Sequence, residues 1–218
     1  MDDVHSIKIE PLGESIYVKP FHMTYIQNGV KKFWDFNVVH DSVSVLLFNV
    51  SRKVFVFVRQ FRPAVFFNSI PEKEKYLVEA MNTKLPLPPI EQGITLELCA
   101  GVVDKEKSLE EIAREEVLEE CGYDVPVKHL EKILSYRDSI GIAGDKQTIF
   151  YAEITDDMRV SKGGGKPEEG ELIEVVEMSE TEVKKYLERG DILSPGGFAF
   201  ALYWFFENKK NIYSCHCS

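Results

Sequence analysis

Apolar and polar positions alternate in short blocks along most of the chain, and the period of the blocks changes at recognisable punctuation. SVSVLLFNV and KVFVFVRQFR, on either side of Ser51-Arg52-Lys53, are β-branched and aromatic runs that predict a hairpin with a buried face. Upstream, SIYVKPFHMTYI and VKKFWDFNVV flank Gln27-Asn28-Gly29. Asn-Gly is a strong two-residue turn signal, so a small antiparallel extension is expected there. ITLELCA, VKHLEKILSYR, KQTIFYAEI and LIEVVEM add further strands.

Helical spacing follows Ser108, where Leu109, Ile112, Ala113, Val117 and Leu118 recur on one face behind an S-x-x-E capping box, and Gly122 closes the helix. Ser179 with Glu182 opens a second capped helix. A third starts after Pro195 in SPGGFAFALYWFFENKK; aromatic on most sides, it is expected to be buried, partly against another subunit. Residues 63–93 read as a proline-rich insert with a short helix around EKYLVEAM, and SKGGGKPEEGE as a mobile loop. The class is therefore α+β, an α/β/α sandwich on a mixed β-sheet, with residues 1–40 as an N-terminal β extension suited to dimerisation and 41–218 as the main domain.

At 218 residues the chain is long enough for one packed core, and its formal charge of -10 argues against nucleic acid or an anionic membrane surface as partner. A phosphate-bearing ligand must then be met by local arginines, lysines or a metal. No long uncharged apolar run occurs, and MDDVHSIKIE has no basic start followed by an apolar core, so a cytoplasmic setting is expected. Cys99, Cys121, Cys215 and Cys217 are sparse and irregularly spaced, as reduced thiols are. Cys215-His216-Cys217 lacks a fourth metal ligand in sequence and reads as a frayed tail.

The candidate chemistry lies in EEVLEECGYD, residues 115–124. On a helix Glu116, Glu119 and Glu120 stand at i, i+3 and i+4, so their carboxylates share a face that repels itself. A solvated acidic face is the commoner reason for such a cluster; a divalent cation, Mg²⁺ or Mn²⁺, is the other, since it converts repulsion into shared coordination. The context favours the cation. GVVDKEKSLEEIAREEVLEECGY, residues 101–123, resembles the box of the Nudix hydrolases, G-x5-E-x7-R-E-U-x-E-E-x-G-U. Gly101, Glu116, Val117, Glu119, Glu120, Gly122 and, loosely, Tyr123 fall on its places without a gap. The first glutamate of the box is Lys107 here, and its arginine is Glu115. Two readings follow: a charge-swapped Lys107–Glu115 pair that ties loop to helix, or Arg114 taking the arginine's role while Lys107 is merely exposed.

The resemblance implies Mg²⁺-dependent hydrolysis of a nucleoside diphosphate linked to another group, with the metal on Glu116, Glu119 and Glu120. Glu97-Leu98-Cys99-Ala100-Gly101 is similar to the E-L-P-A-G entry of the ADP-ribose and nucleotide-sugar branch, which implies a metal contact from the Ala100 carbonyl. Cys99, in the proline's place, reads as a small buried residue. VRQFRPAV offers Arg62, then Arg59, as bidentate pyrophosphate contacts; the alternative is a carboxylate partner such as Glu97. The proline that the ADP-ribose branch carries downstream of the box falls on Ser139. Together with NGVKKFWDF, HDSVSVLLFN and EEGELIEVVEM, SYRDSIGIAGDKQTIFY resembles the UDP-sugar diphosphatase branch. That implies cleavage of UDP-glucose to UMP and glucose 1-phosphate in a homodimer. ADP-ribose hydrolysis and a non-catalytic nucleotide-sugar sensor are the alternatives. For the base that takes water's proton, Glu169 aligns best by counting back from LIEVVEM, with Glu171 and Glu168 beside it and Glu119 or Glu120 as fallback. The 137–147 loop and the N-terminal strands are the candidate uracil contacts.

Overall fold

A computed structural model describes residues 3–9, 12–15, 18–72, 75 and 87–209. EKYLVEAM, apart from Lys75, and Cys215-His216-Cys217 lie outside the described residues.

The core hairpin forms between β3 (Ser42–Asn49) and β4 (Val54–Phe61), but these strands pair only through Leu47↔Val56, Phe48↔Phe55 and Asn49↔Val54. Beyond that they part. β5 (Ile94–Glu97) continues on β4 and β6 (Cys99–Val102) continues on β3, so ITLELCA, expected as one strand, changes partner at Leu98. This wedge in the sheet is where the site forms. β7 (Glu131–Arg137) pairs antiparallel with β8 (Lys146–Ile154), β8 runs parallel to β3, and β9 (Glu174–Ser179) closes the other side of β4, giving a mixed sheet as expected.

Strand alternation sorts the side chains into two layers. Val43, Val45 and Leu47 of β3, with Val56 and Val58 of β4, face α2 (Leu109–Glu116), which follows the short α1 (Pro63–Ser69) in the chain. Leu46, Phe48, Phe55 and Phe57 face the opposite layer, α3 (Glu180–Leu187) and α4 (Gly196–Asn208). Phe205 of α4 lies 4.7 Å from both Phe48 and Phe55, ring centre to ring centre. α4 turns Phe198, Ala201, Leu202 and Phe205 inward, as expected of an aromatic helix, and leaves Phe200 and Tyr203 exposed in the single chain. It covers its own sheet.

β1 (Lys19–Gln27) and β2 (Val30–Val38) form a separate two-stranded sheet across a turn in which Asn28 (φ 52°) and Gly29 (φ 77°) are both left-handed, the backbone that Asn-Gly tolerates best. Two hydrogen bonds tie it to the 138–145 loop: Asn37 N–H to Ile142 O at 2.7 Å and Trp34 Nε1–H to Gly141 O at 2.9 Å. Phe21, Met23, Ile26, Val30, Phe33 and Trp34 on this hairpin are exposed, as are Ile140 and Ile142 on the loop. Among the described residues no helix is long and apolar enough to cross a membrane.

Candidate active site

The acidic helix is fixed at both ends by local chemistry. At its start Ser108 Oγ accepts the Glu111 N–H while the Glu111 carboxylate accepts the Ser108 N–H, so orphan donors of the first turn are satisfied reciprocally. Ile112, Ala113 and Val117 bury one face against β3, which directs Glu116 toward the wedge. At Val117 the helix departs from the α geometry expected of it and widens into a π turn through Cys121. Gly122, at φ +78°, ends it; a Cβ there would run into the Ser161 carbonyl.

Glu116 lies over Gly101, where any side chain would overlap its carboxylate. Burial, reinforced by the charge of Glu119, pushes the Glu116 carboxyl up to about 7. Glu120, 5% exposed, accepts the Ala100 N–H at 2.9 Å. Its burial outweighs that hydrogen bond and the Cys99 thiol beside it, and pushes the carboxyl up to about 8. Glu119 instead meets Lys166 Nζ at 2.7 Å. Among the described residues no three His, Cys, Asp or Glu side chains converge on one point tightly enough to hold an ion. The donor set nonetheless fits a divalent cation, since it consists of hard carboxylate oxygens, with Glu120 buried and Glu116 half-buried at a cost that a bound ion would offset.

SKGGGKPEEGE, expected as a mobile loop, is anchored through its glycines. Gly163, Gly164 and Gly165 take φ of 69°, 113° and 74°, and the loop lies against the end of the acidic helix, with Gly164 N–H on Glu120 O at 2.9 Å and Gly165 N–H on Glu119 O at 3.3 Å. The glycines permit close backbone approach and satisfy helix-end carbonyls, which the composition alone does not reveal. The loop thereby delivers Lys166 to Glu119 and Glu171 to the cavity. Glu169 closes the short turn Pro167–Glu169; its side chain lies outside the described residues.

On the other side of the wedge Arg62 grips Glu97 through two parallel hydrogen bonds, Nε to Oε1 at 2.8 Å and Nη2 to Oε2 at 2.7 Å, and Thr95 Oγ1 donates to Glu97 Oε1 at 2.6 Å. Burial alone would raise the Glu97 carboxyl, but Arg62 and Thr95 outweigh it and hold it below the usual range; Arg62 is raised in turn. Glu97 is thus the carboxylate partner foreseen as the alternative, and it orients a guanidinium that still borders the cavity. Arg59, expected as a second phosphate contact, is instead paired with Glu174 of β9 at 2.9 and 2.6 Å and does not border the cavity. Cys99 is fully buried, with its thiol pushed well above the ordinary range by burial.

A cavity of about 890 Å³ fills the wedge. It brings together Arg62, Glu97, Ala100, Gly101, Glu116, Glu119, Glu120 and Glu171 with Lys166, Ser42, Ser44, Gln147 and the first turn of α4. Of the last group, sequence reasoning reached only Gln147, at the end of the 137–147 loop, and missed the rest. Ser42 and Ser44 carried a signal, being polar on the strand face that continues as Leu46 and Phe48; so did Lys166, a cation next to the glycine run of an acidic chain. Of the two readings of the altered box, the geometry favours the swap: Lys107 Nζ hydrogen-bonds Glu115 Oε1, Lys105 lies 3.7 Å from the same carboxylate, and Arg114 turns away to Asp124 at 2.6 Å.

No protein-family model matches the chain. It is 39% identical over 213 residues to a uridine diphosphate glucose pyrophosphatase of Mus musculus, spanning 95% of this chain and 96% of that protein. It is 40% identical over 216 residues to the protein of the same name from Bos taurus, with the same coverage of 95% and 96%. Among solved structures, one titled an ADP compounds hydrolase superposes with a TM-score of 0.63 at 16% identity, over 93% of this chain and 92% of that one, which speaks to the fold.

If Lys107 and Glu115 hold the loop as a pair, Lys107→Glu and Glu115→Arg should each lower the melting temperature and the Mg²⁺ affinity, and the double variant should recover both; purely additive losses would refute the pairing. Glu116 and Glu120 set a pH dependence of known sign. Each binds a proton in the folded state above its ordinary 4.5, so the stability it contributes is present below about pH 4.5 and lost as pH rises through about 7 to 8. Thermal melts in EDTA should show that decline, and Glu120→Gln should flatten it and raise the melting temperature at pH 8.

Proposed function

From a chain that belongs to the Nudix hydrolase superfamily and is close to its animal UDP-glucose pyrophosphatases, we propose an enzyme that hydrolyses the diphosphate bridge of UDP-sugars, splitting UDP-glucose into UMP and glucose 1-phosphate. The observation that carries this reading is the apposition, in one cavity, of a partly buried acidic helix face and a guanidinium locked in place by Glu97. The diphosphate would lie between them.

Glu116, Glu119 and Glu120, with the Ala100 carbonyl, would hold Mg²⁺, with Mn²⁺ as an alternative; when bound, the ion offsets diphosphate charge and lowers the pKa of water. Everything else is positioning by the chain. Arg62 binds a phosphoryl oxygen, and because Glu97 and Thr95 fix its plane, little side-chain freedom is lost when it does so. Lys166, already at Glu119, adds positive charge at the edge of the acidic cluster. Glu171 holds the proton taken from water: it borders the cavity, and its charge is felt at Glu116, Glu120 and Arg62. Glu171 is therefore preferred to Glu169 for this role. A cytoplasmic setting agrees with the buried free thiols of Cys99 and Cys121.

Incubation with UDP-glucose and ADP-ribose at equal concentration, with and without Mg²⁺, should give UMP from the first in preference to AMP from the second, and only with the ion. Absence of UMP would sink the proposal. Glu171→Gln should lower turnover about 100-fold or more while sparing Mg²⁺ affinity, whereas Glu169→Gln should not; the reverse result would return the role to Glu169.

We also propose that the chain is a homodimer assembled through the hairpin, which exposes apolar side chains on both of its faces, Phe21, Met23 and Trp34 on one and Ile26 and Phe33 on the other, an extent unusual for a free sheet. Sedimentation should give twice the chain mass, and Ile26→Glu with Phe33→Glu should return the monomer. A wild-type monomer at micromolar concentration would rule this out.

A further inference from the structure

We propose that the far end of the cavity, where β3 and β8 meet the start of α4, is a subsite for the hydroxyls of the substrate's sugar, with Ser44 as its central contact; this rests on the nucleotide-sugar reading above. Ser44 is 4% exposed, borders the cavity, and its Oγ is the buried side-chain polar atom without a protein partner among the described residues. An unmet buried hydroxyl is costly and calls for a reason. The strands supply its neighbours. Ser42 and Ser44 lie two apart on the same face of β3, and Gln147 of β8 stands opposite Ser42. All three border the cavity, together with Asp138.

The helix supplies donors. α4 runs for 13 residues from Gly196, its N-cap is Pro195, and no side chain caps its first turn; Phe198 N–H is taken by Pro195 O at 3.0 Å, which leaves the Gly196 and Gly197 N–H groups to an oxygen ligand. Gly197 keeps that approach close: a Cβ at this position would fall 2.5 Å from Tyr136 Oη and 2.7 Å from Gln147 Oε1. Tyr136 Oη in turn donates to Gln147 Oε1, which fixes the amide so that its NH₂ is the end left to donate.

The mixture selects the ligand. Helix N–H groups, the Gln147 amide and Ser44 Oγ can donate, while Asp138 and Ser44 Oγ can accept. Interleaved donors and acceptors around one small space suit a polyol, in which every oxygen does both. A second phosphate is disfavoured by Asp138 and the glutamates of the same cavity. The guanidinium of Arg62 belongs to the diphosphate, so the sugar lies beyond it.

Calorimetric titration of the full chain, wild type and Ser44→Ala, with glucose 1-phosphate and separately with UMP, reads the subsite without requiring turnover. The expected result is a loss of about 5-fold in affinity for glucose 1-phosphate, the size of one neutral hydrogen bond, with UMP affinity unchanged. The melting temperature should not fall, because the variant removes an unpartnered hydroxyl. Unchanged affinity for both ligands would make Ser44 merely structural, and a loss confined to UMP or shared equally would put the nucleoside half or the phosphate there; each overturns the proposal. Failure of wild type to release UMP from UDP-glucose would strike the proposed reaction instead, and the titrations would still report on Ser44.

Discussion

Two carboxylates drawn out of water, Glu120 almost wholly and Glu116 in part, are the constraint around which this site is built. Burying like charges side by side disfavours folding unless each is protonated, hydrogen-bonded or neutralised by a cation. The surrounding chain supplies partial relief. Ala100 gives a backbone N–H to Glu120, Lys166 reaches Glu119, and Lys105 lowers the cost at Glu116 through its field. None of these removes the tendency to hold protons near neutrality. A site built only for stability would have apolar residues here, as the neighbouring Ile112, Ala113 and Val117 show is possible on the same helix.

The sheet makes room for the constraint. Because β3 and β4 pair over so short a register, the chain between β5 and β6 crosses from one to the other, and this crossing puts Glu97 and Ala100 on opposite banks of one cavity. Glycines make the remaining close approaches. Gly101 lets the Glu116 carboxylate lie against a strand, and the Gly163–Gly165 backbone docks on the helix end that carries Glu119 and Glu120. The site is therefore held by these backbone approaches and, across the cavity, by the Arg62–Glu97 pair.

What the sequence made legible was local. Capping boxes at Ser108 and Ser179 and the Asn28-Gly29 turn each depend on residues within a few positions of one another, and each formed as read; Glu116, Glu119 and Glu120 are equally local, but their α-helical spacing is interrupted by the π turn that starts at Val117. Lys107 and Glu115, eight positions apart, were legible only in part: their reversed signs pointed to each other, but the sequence left Arg114 as an equal alternative. What stayed hidden depends on distant chain segments meeting. Arg62 and Glu97 are separated by 35 positions, and the sequence left their pairing and a phosphate role for Arg62 equally open; the structure makes them compatible. Composition made SKGGGKPEEGE look slack because glycine serves both looseness and close contact, and only the partner backbone at Glu119 and Glu120 distinguishes the two. The π turn has no composition signature at all.

The swapped pair shows why identity at a motif position matters less than the force it exerts. An ion pair that ties the loop before α2 to the helix needs opposite charges at its two ends, and Coulomb attraction is indifferent to which end is positive. The exchange is not neutral in its surroundings, however. It places Lys107, with Lys105, on the loop that leads into an acidic cluster, and puts Glu115 immediately before Glu116. A glutamate there adds negative charge next to the buried face unless the lysines hold it outward. They do: Glu115 is drawn to Lys107 and Lys105 at the surface, while Arg114 is spent on Asp124. The lysines thus hold at the surface the charge that a glutamate at position 115 adds beside Glu116.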